Sequence, residues 1–259
     1  MRQIFLFIIL CVLLIYLFPS SSFPIGDFRV PPSLLPSEYG DVLMDRSSTK
    51  KEIAPVVFSH WVHKPKFTCT VCHTELEFPM SSSETPVTCE EGKMKAQYCA
   101  VCHNGKIAFG PKSEEGDNCK LCHNANASPN REKFEALQRT LPRSKFGNEI
   151  DWTKALKEGL IAPKRTLAGD GTSKPISIDR TLKLEAEWAG ISAAVFPHNV
   201  HEQWLDCSLC HPDIFNIKKK TTRNLTMANI IKGEACGVCH LKVAFPLNDC
   251  KRCHPNMKM

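Results

Sequence analysis

The chain has 259 residues, a formal net charge of +6, and fourteen cysteines beside only three tyrosines and four tryptophans. Its length allows one or two domains, but such a cysteine content excludes an ordinary cytosolic enzyme composition. The modest charge argues against a nucleic-acid-binding protein, and neither a phosphate loop nor a dinucleotide fingerprint occurs.

Met1-Arg2 gives a short positive start, and Ile4 to Phe18 is an unbroken apolar run of fifteen residues. That is shorter than the roughly 17 residues a membrane span needs. Pro19 and Ser20-Ser-Ser22 follow, so residues 1–22 read as a secretory signal peptide cleaved after Ser22. An uncleaved membrane anchor is the alternative. Cys11 has no small residue before it and is not read as a lipid-attachment site. Export places the mature chain in the periplasm, with the outer surface or an inner-membrane anchorage as alternatives. It also suits the cysteines, because thiols in an oxidising compartment persist only when they are used.

Residues 23–52, with Val30-Pro-Pro-Ser33 and Leu35-Pro-Ser37, read as an extended lead-in with little regular structure. Two copies of one pattern then appear. Phe58-Ser-His60-Trp-Val-His63 precedes Cys69-Thr-Val-Cys72-His73, and Phe196-Pro-His198-Asn-Val-His201 precedes Cys207-Ser-Leu-Cys210-His211. Tyr98-Cys-Ala-Val-Cys-His103 with Lys106-Ile-Ala-Phe109 likewise matches Ala235-Cys-Gly-Val-Cys-His240 with Lys242-Val-Ala-Phe245. A unit has been duplicated.

Each copy holds three Cys-x-x-Cys-His motifs: Cys69/Cys72/His73, Cys99/Cys102/His103 and Cys119/Cys122/His123, then Cys207/Cys210/His211, Cys236/Cys239/His240 and Cys250/Cys253/His254. Two thiols three residues apart share one face of a helical turn, so both reach the vinyl groups on one porphyrin edge. The following histidine comes under the ring and offers its imidazole to the iron as proximal ligand. Zinc knuckles also use Cys-x-x-Cys pairs, but neither they nor disulfides require a histidine after every pair. The cofactor implied is haem c, six per chain and covalently attached. About seventy residues are barely enough for a stable core. The porphyrins therefore supply the apolar bulk, and regular structure should be sparse.

Residues 125–190 carry no motif. Ser128-Pro-Asn-Arg followed by Phe134, Leu137 and Leu141 predicts a capped helix stopped by Pro142. Asn148 or Asp151 caps a second short helix through Trp152, Ala155 and Leu156, ended at Gly159. The Trp152 helix packs either on a haem face or in a small linker cluster of its own. Leu167-Ala-Gly-Asp-Gly-Thr-Ser-Lys-Pro175 is a turn-rich connector.

Six of the ten histidines are proximal, which leaves His60, His63, His198 and His201. All four sit in the duplicated His-x-x-His sequences and are candidate distal ligands. Three residues apart on a helix, the two members of each pair point to neighbouring faces and can serve adjacent haems.

With Phe-x-His-x-x-His followed by three attachment motifs, residues 53–124 and 191–259 resemble the multihaem class III cytochromes c, the cytochrome c3 group, in its trihaem form. The resemblance implies mostly coil with short α-helices around packed haems, as two tandem trihaem domains. It pairs His60 with His73, His63 with His103, His198 with His211 and His201 with His240. Trihaem relatives usually carry another histidine before the second motif, and this chain has none there. The haems at His123 and His254 therefore need a different distal ligand, and methionine is one. Met227 in the second unit and Met94 and Met80 in the first are candidates. Cys89 is the alternative as a distal ligand, a free thiol or an intermolecular bridge, and an open site is another.

The activity implied is electron transfer between redox partners in the cell envelope, in anaerobic respiration or extracellular electron transfer, not catalysis. Partners would be other multihaem cytochromes or a membrane quinol-oxidising complex. The alternative, a reductase of nitrite or hydroxylamine type, needs an open iron and nearby acid–base groups. Lys218-Lys-Lys220 reads as a solvated face or as partners for haem propionates.

Overall fold

The computed structural model describes residues 34–48, 52–81, 84, 87, 89–90, 93–94, 96–114, 116–125, 131–168, 177–186, 190–217 and 225–258. Residues 1–22, expected from sequence to be a signal peptide, with Cys11, the connector at 169–175 and the Lys218-Lys-Lys220 run, lie outside the described residues. So do the side chains of Cys89 and Met94, whose backbone alone is described.

Each unit opens on a two-stranded antiparallel ladder that delivers its His-x-x-His turn. β1 (Asp41–Met44) pairs with β2 (Val56–Ser59), in a register that sets Asp41 opposite Ser59 and Met44 opposite Val56. One helical turn, α1 (His60–His63), follows β2 at once. After α1 come the ladder β3 (Cys89–Glu90) with β4 (Lys93–Met94), the ladder β5 (Lys112–Ser113) with β6 (Gly116–Asp117), and α2 (Cys119–Cys122). The Val56-Val-Phe58 run has the β-branched and aromatic character that favours a pleated surface.

The region between the units holds the two predicted helices. α3 (Arg131–Thr140) is the longest described helix, with ten residues. It buries Phe134 and stops before Pro142, whose missing N–H cannot continue it. α4 (Trp152–Lys157) starts where Asp151 Oδ1 accepts a hydrogen bond from Lys154 N at 3.0 Å. It ends in a Schellman motif, with Leu160 N donating to Ala155 O and Gly159 N donating to Leu156 O. Gly159 has φ of +70° there, a value an L side chain resists. Asn148 does not cap this helix. Its buried Oδ1 accepts from Ile150 N and Trp152 Nε1, both at 3.2 Å.

The second unit opens as the first does. β7 (Thr181–Leu184) pairs with β8 (Ala194–Pro197), Thr181 facing Pro197 and Leu184 facing Ala194. Then come α5 (His198–His201), α6 (Met227–Ile231), α7 (Gly237–His240) and α8 (Cys250–Cys253).

Two differences from the sequence reading stand out. Residues 23–52 are not all lead-in, because Asp41–Met44 is the first strand of the first unit. Residues 125–190 are likewise not all linker, because Thr181–Leu184 plays the same part for the second. The second difference concerns the core. Phe134, Leu141, Ile150, Trp152, Ala155 and Ile161 from the middle region close around Trp61 from the first unit and Trp204 from the second. Protein side chains, and not porphyrin alone, therefore form a core, and that core joins the two units.

Backbone contacts reinforce this junction. Cys69 N donates directly to Trp204 O at 3.0 Å, while Thr68 N donates to Lys164 O and Lys164 N to Lys66 O. The Arg165 guanidinium donates to the carbonyls of Glu202 and Gln203 at 3.0 and 2.8 Å. Residues 31–259 form one compact unit, and Met1–Val30 lies outside the described residues. Among the described residues no helix is long and apolar enough to cross a membrane.

Candidate haem-iron sites

The attachment motifs are built as single helical turns. In five of them the histidine N–H donates to the carbonyl of the first cysteine: His103 to Cys99, His123 to Cys119, His211 to Cys207, His240 to Cys236 and His254 to Cys250, at 2.8 to 3.0 Å. The first motif runs instead into a π-helical turn, Val71–Glu75. All twelve motif thiols are free of disulfides. Burial pushes Cys72 and Cys239 up to about 12 and Cys99 and Cys236 up to about 11, which keeps these sulfurs neutral.

The histidines follow one rule without exception. Every one of the ten points Nδ1 at a backbone carbonyl oxygen. His60 bonds Gly40 at 2.8 Å, His63 bonds Ser59 at 3.4 Å, His73 bonds Phe78 at 2.8 Å, His103 bonds Phe109 at 3.0 Å, and His123 bonds Ala54 at 2.7 Å. In the second copy His198 bonds Arg180 at 2.9 Å, His201 bonds Pro197 at 2.9 Å, His211 bonds Phe215 at 2.6 Å, His240 bonds Phe245 at 2.9 Å, and His254 bonds Ser192 at 2.6 Å. A carbonyl can only accept, so Nδ1 must carry the proton in each case. Nε2 is left as a lone-pair donor with a fixed direction, which is what a metal-ligating imidazole requires.

The opening ladder sets the first two of these bonds in each copy. Gly40, just before β1, accepts from both the backbone N–H and the ring of His60; Arg180, just before β7, does the same for His198. Phe58 stacks on His63 at 4.7 Å and meets His60 edge-on at 4.9 Å. Phe196 stacks on His201 at 4.2 Å and meets His198 edge-on at 4.9 Å. The phenylalanine of the duplicated pattern thus fixes both rings. Its role was not legible from the sequence, where it marked the repeat only.

Two pairs of imidazoles lie close together with their planes steeply inclined. The His63 and His103 ring centroids are 6.2 Å apart with planes at 63°, and those of His201 and His240 are 6.2 Å apart at 65°. A metal–imidazole bond of about 2 Å puts two ligating nitrogens roughly 4 Å apart and their ring centres about 6 Å apart. The residues present therefore fit two imidazoles sharing one metal. His60 and His73 lie near enough for one ring's charge to depress the other's pKa, although burial is the larger cause and takes His60 down to about 4. Burial likewise holds His240 at about 4 and lowers His63, His73 and His201, so these imidazoles are neutral donors. His198 and His211 carry the same carbonyl bonds as their counterparts, and their pairing rests on the repeat.

Among the described residues no three or more His, Cys, Asp or Glu side chains gather around a bare metal ion. Imidazoles in pairs, beside thiols in single turns, suit a metal that arrives inside a flat ring. His123 and His254 bond back across their units to Ala54 and Ser192, at the entrance of β2 and β8. Of the candidate methionines, Met80 is exposed on a bend, and Met227 is half-buried in the first turn of α6, where Thr226 Oγ1 accepts from Asn229 N at 3.2 Å. Met94 pairs through its backbone with Cys89 across the β3–β4 ladder.

Relationship to known proteins bears on the same residues. A family model described as cytochrome c7 and related cytochrome c matches residues 56–124 and 194–255, just over half of the chain. A solved c7-type three-haem cytochrome domain is 36% identical over 32% of this chain and all of its own length, with a TM-score of 0.28. The C-terminal hexahaem fragment of GSU1996 is 25% identical, covering 87% of this chain and 99% of that one, with a TM-score of 0.27. The dodecahaem cytochrome c GSU1996 itself is 25% identical over 78% of this chain and 70% of that one, also with a TM-score of 0.27. No curated protein matches. The family model carries the assignment. The chain belongs to the family of cytochrome c7 and related cytochromes c, as a multihaem c-type cytochrome of two tandem trihaem units with covalently bound haem.

Proposed function

We propose that this protein is a six-haem electron carrier of the cell envelope, passing electrons between redox partners in anaerobic respiration or extracellular electron transfer. The observation that carries the reading is the shared fate of the ten histidines, each with Nδ1 tied to a carbonyl and Nε2 left free. Haem c, once attached, supplies a one-electron iron couple. The chain's part is to hold both axial positions rigidly, so that a change of oxidation state moves few atoms.

Cys69, Cys72, Cys99, Cys102, Cys119 and Cys122 form the thioethers of the first unit, and Cys207, Cys210, Cys236, Cys239, Cys250 and Cys253 those of the second. His60 serves with His73, His63 with His103, His198 with His211 and His201 with His240. Methionine completes the sites of His123 and His254, from Met227 in the second unit and from Met94 or Met80 in the first. Residues 1–22 direct export to the periplasm and are then removed. The partners are other multihaem cytochromes or a membrane quinol-oxidising complex.

Filled axial positions separate this reading from a reductase of small oxyanions, which needs an open iron. Carbon monoxide added to the reduced holoprotein should leave the four bis-histidine haems unchanged, and the oxidised protein should show a far-red methionine-to-iron band. A high-spin spectrum with stoichiometric carbon monoxide binding at the bis-histidine sites would overturn the carrier reading.

A further inference from the structure

Lys164 and Arg165, adjacent residues of the middle region, hold the entrances of two attachment motifs that belong to different units. Thr68 stands immediately before Cys69, and its N–H donates to Lys164 O at 2.9 Å, while Lys164 N donates to Lys66 O at 2.8 Å. Asp206 stands immediately before Cys207, and its Oδ1 accepts from the Arg165 guanidinium at 3.4 Å. The same guanidinium donates to the carbonyls of Glu202 and Gln203, which follow directly on the turn that carries His198 and His201. The Arg165 side chain is only 14% exposed. A guanidinium presents its donors in a rigid plane, so these acceptors fix the direction of the 202–206 segment as well as its position. Two residues further on, Leu167 N donates to Glu75 Oε2 at 2.7 Å, at the far end of the first motif's turn.

The two motifs held in this way also meet. Cys69 N donates to Trp204 O at 3.0 Å, which bonds the leading cysteine of the first unit to the segment that runs into Cys207. Cα atoms of the Val71–Glu75 turn lie within 8 Å of those of the Cys207–Leu209 turn. Both turns are therefore tied to one short strap and to each other, and neither shifts without breaking bonds to the other.

We propose that Arg165 is a positioning residue for the crossing point between the two units, which lies between the haem attached at Cys69 and Cys72 and the haem attached at Cys207 and Cys210. The proposal rests on the reading of the chain as an electron carrier, with His73 and His211 as the proximal ligands of those haems. Thioether attachment makes a porphyrin edge follow its motif turn, so the strap that sets turn against turn sets the approach of the two groups. Redox centres that come close feel each other's charge, and that interaction weakens with distance and with entry of water.

Proton NMR redox titration of the six-haem protein tests this, because the methyl signals of each haem are followed separately and give the pairwise interaction between haems. In the parent protein the largest interaction between haems of different units should join those at His73 and His211. Arg165→Met should lower that interaction about twofold, with six haems bound and the interactions inside each unit unchanged. Arg165→Lys keeps the charge and part of the hydrogen bonding, and should fall between the two. Arg165→Gln provides a second neutral replacement if the methionine variant fails to load six haems. A larger interaction between another pair of haems from different units would overturn the proposal. So would a neutral variant that shifts midpoints but leaves the His73–His211 interaction unchanged, because Arg165 would then act through its charge alone. Failure of the carrier reading would show differently, as high-spin signals in the parent protein before any substitution.

Discussion

An imidazole serves as a metal ligand only when its ring is aimed. A histidine on a one-turn helix would swing freely, yet each ring here is anchored at Nδ1 by a carbonyl. The anchors are backbone atoms, so no residue type in the sequence announces them. The candidate ligands are legible, because Cys-x-x-Cys-His and His-x-x-His are local spacings that a single helical turn converts into geometry. Replacing His201 by alanine should leave the His240 iron with one axial imidazole. We expect the reduced variant to bind one carbon monoxide among six haems and to gain a high-spin signal, measured by optical titration. Phe196→Ala removes the ring stacked on His201 at 4.2 Å while leaving that ligand in place. It should broaden the electron-paramagnetic signal of that haem without opening it to carbon monoxide.

At the scale of elements the two copies diverge where the sequence hinted least. The backbone before the second motif is the β3–β4 ladder in the first unit and helix α6 in the second. α6 packs against α7 so closely that a Cβ at Gly237 would collide with the Ile230 carbonyl. The first unit has buried Ala100 at the matching position, and among the described residues the segment before it is the β3–β4 ladder. Gly237→Ala should therefore cost about 1–3 kcal/mol by overpacking, whereas Ala100→Gly should cost about 1 kcal/mol or less. Denaturant unfolding of the two holoproteins would measure both. Asp151 caps α4 through Lys154 N, and Asp151→Ala should cost about 1 kcal/mol in the same assay.

The strands are the elements that sequence reading missed. Asp41–Met44 sits among prolines and serines, and its partner Val56–Ser59 lies beyond an eleven-residue connection, residues 45–55. Pairing over that distance leaves no local period to read. The helices of the middle region were legible for the opposite reason, since a cap, an apolar face and a terminating glycine all fall within one short window.

At the scale of the molecule, the middle region is what makes two duplicated units one protein. Phe134 is 2% exposed and meets Trp61 edge-on at 5.2 Å, while Trp152 and Trp204 complete the same core. The motifs alone point to a core of porphyrins, because the repeat lies in the units and not in what lies between them. Phe134→Ala should cost about 3–5 kcal/mol and should loosen the junction before either unit loses its haems. Limited proteolysis followed by mass analysis should then release two separate trihaem fragments from the variant and not from the parent chain.

Twelve cysteines in six Cys-x-x-Cys-His motifs imply six covalently held haems. The most direct measurement is the intact mass of the purified holoprotein. The expected result is a mature chain beginning near Phe23 that carries six haem additions stable to denaturation. A bare chain, or one carrying fewer than six haems, would contradict it.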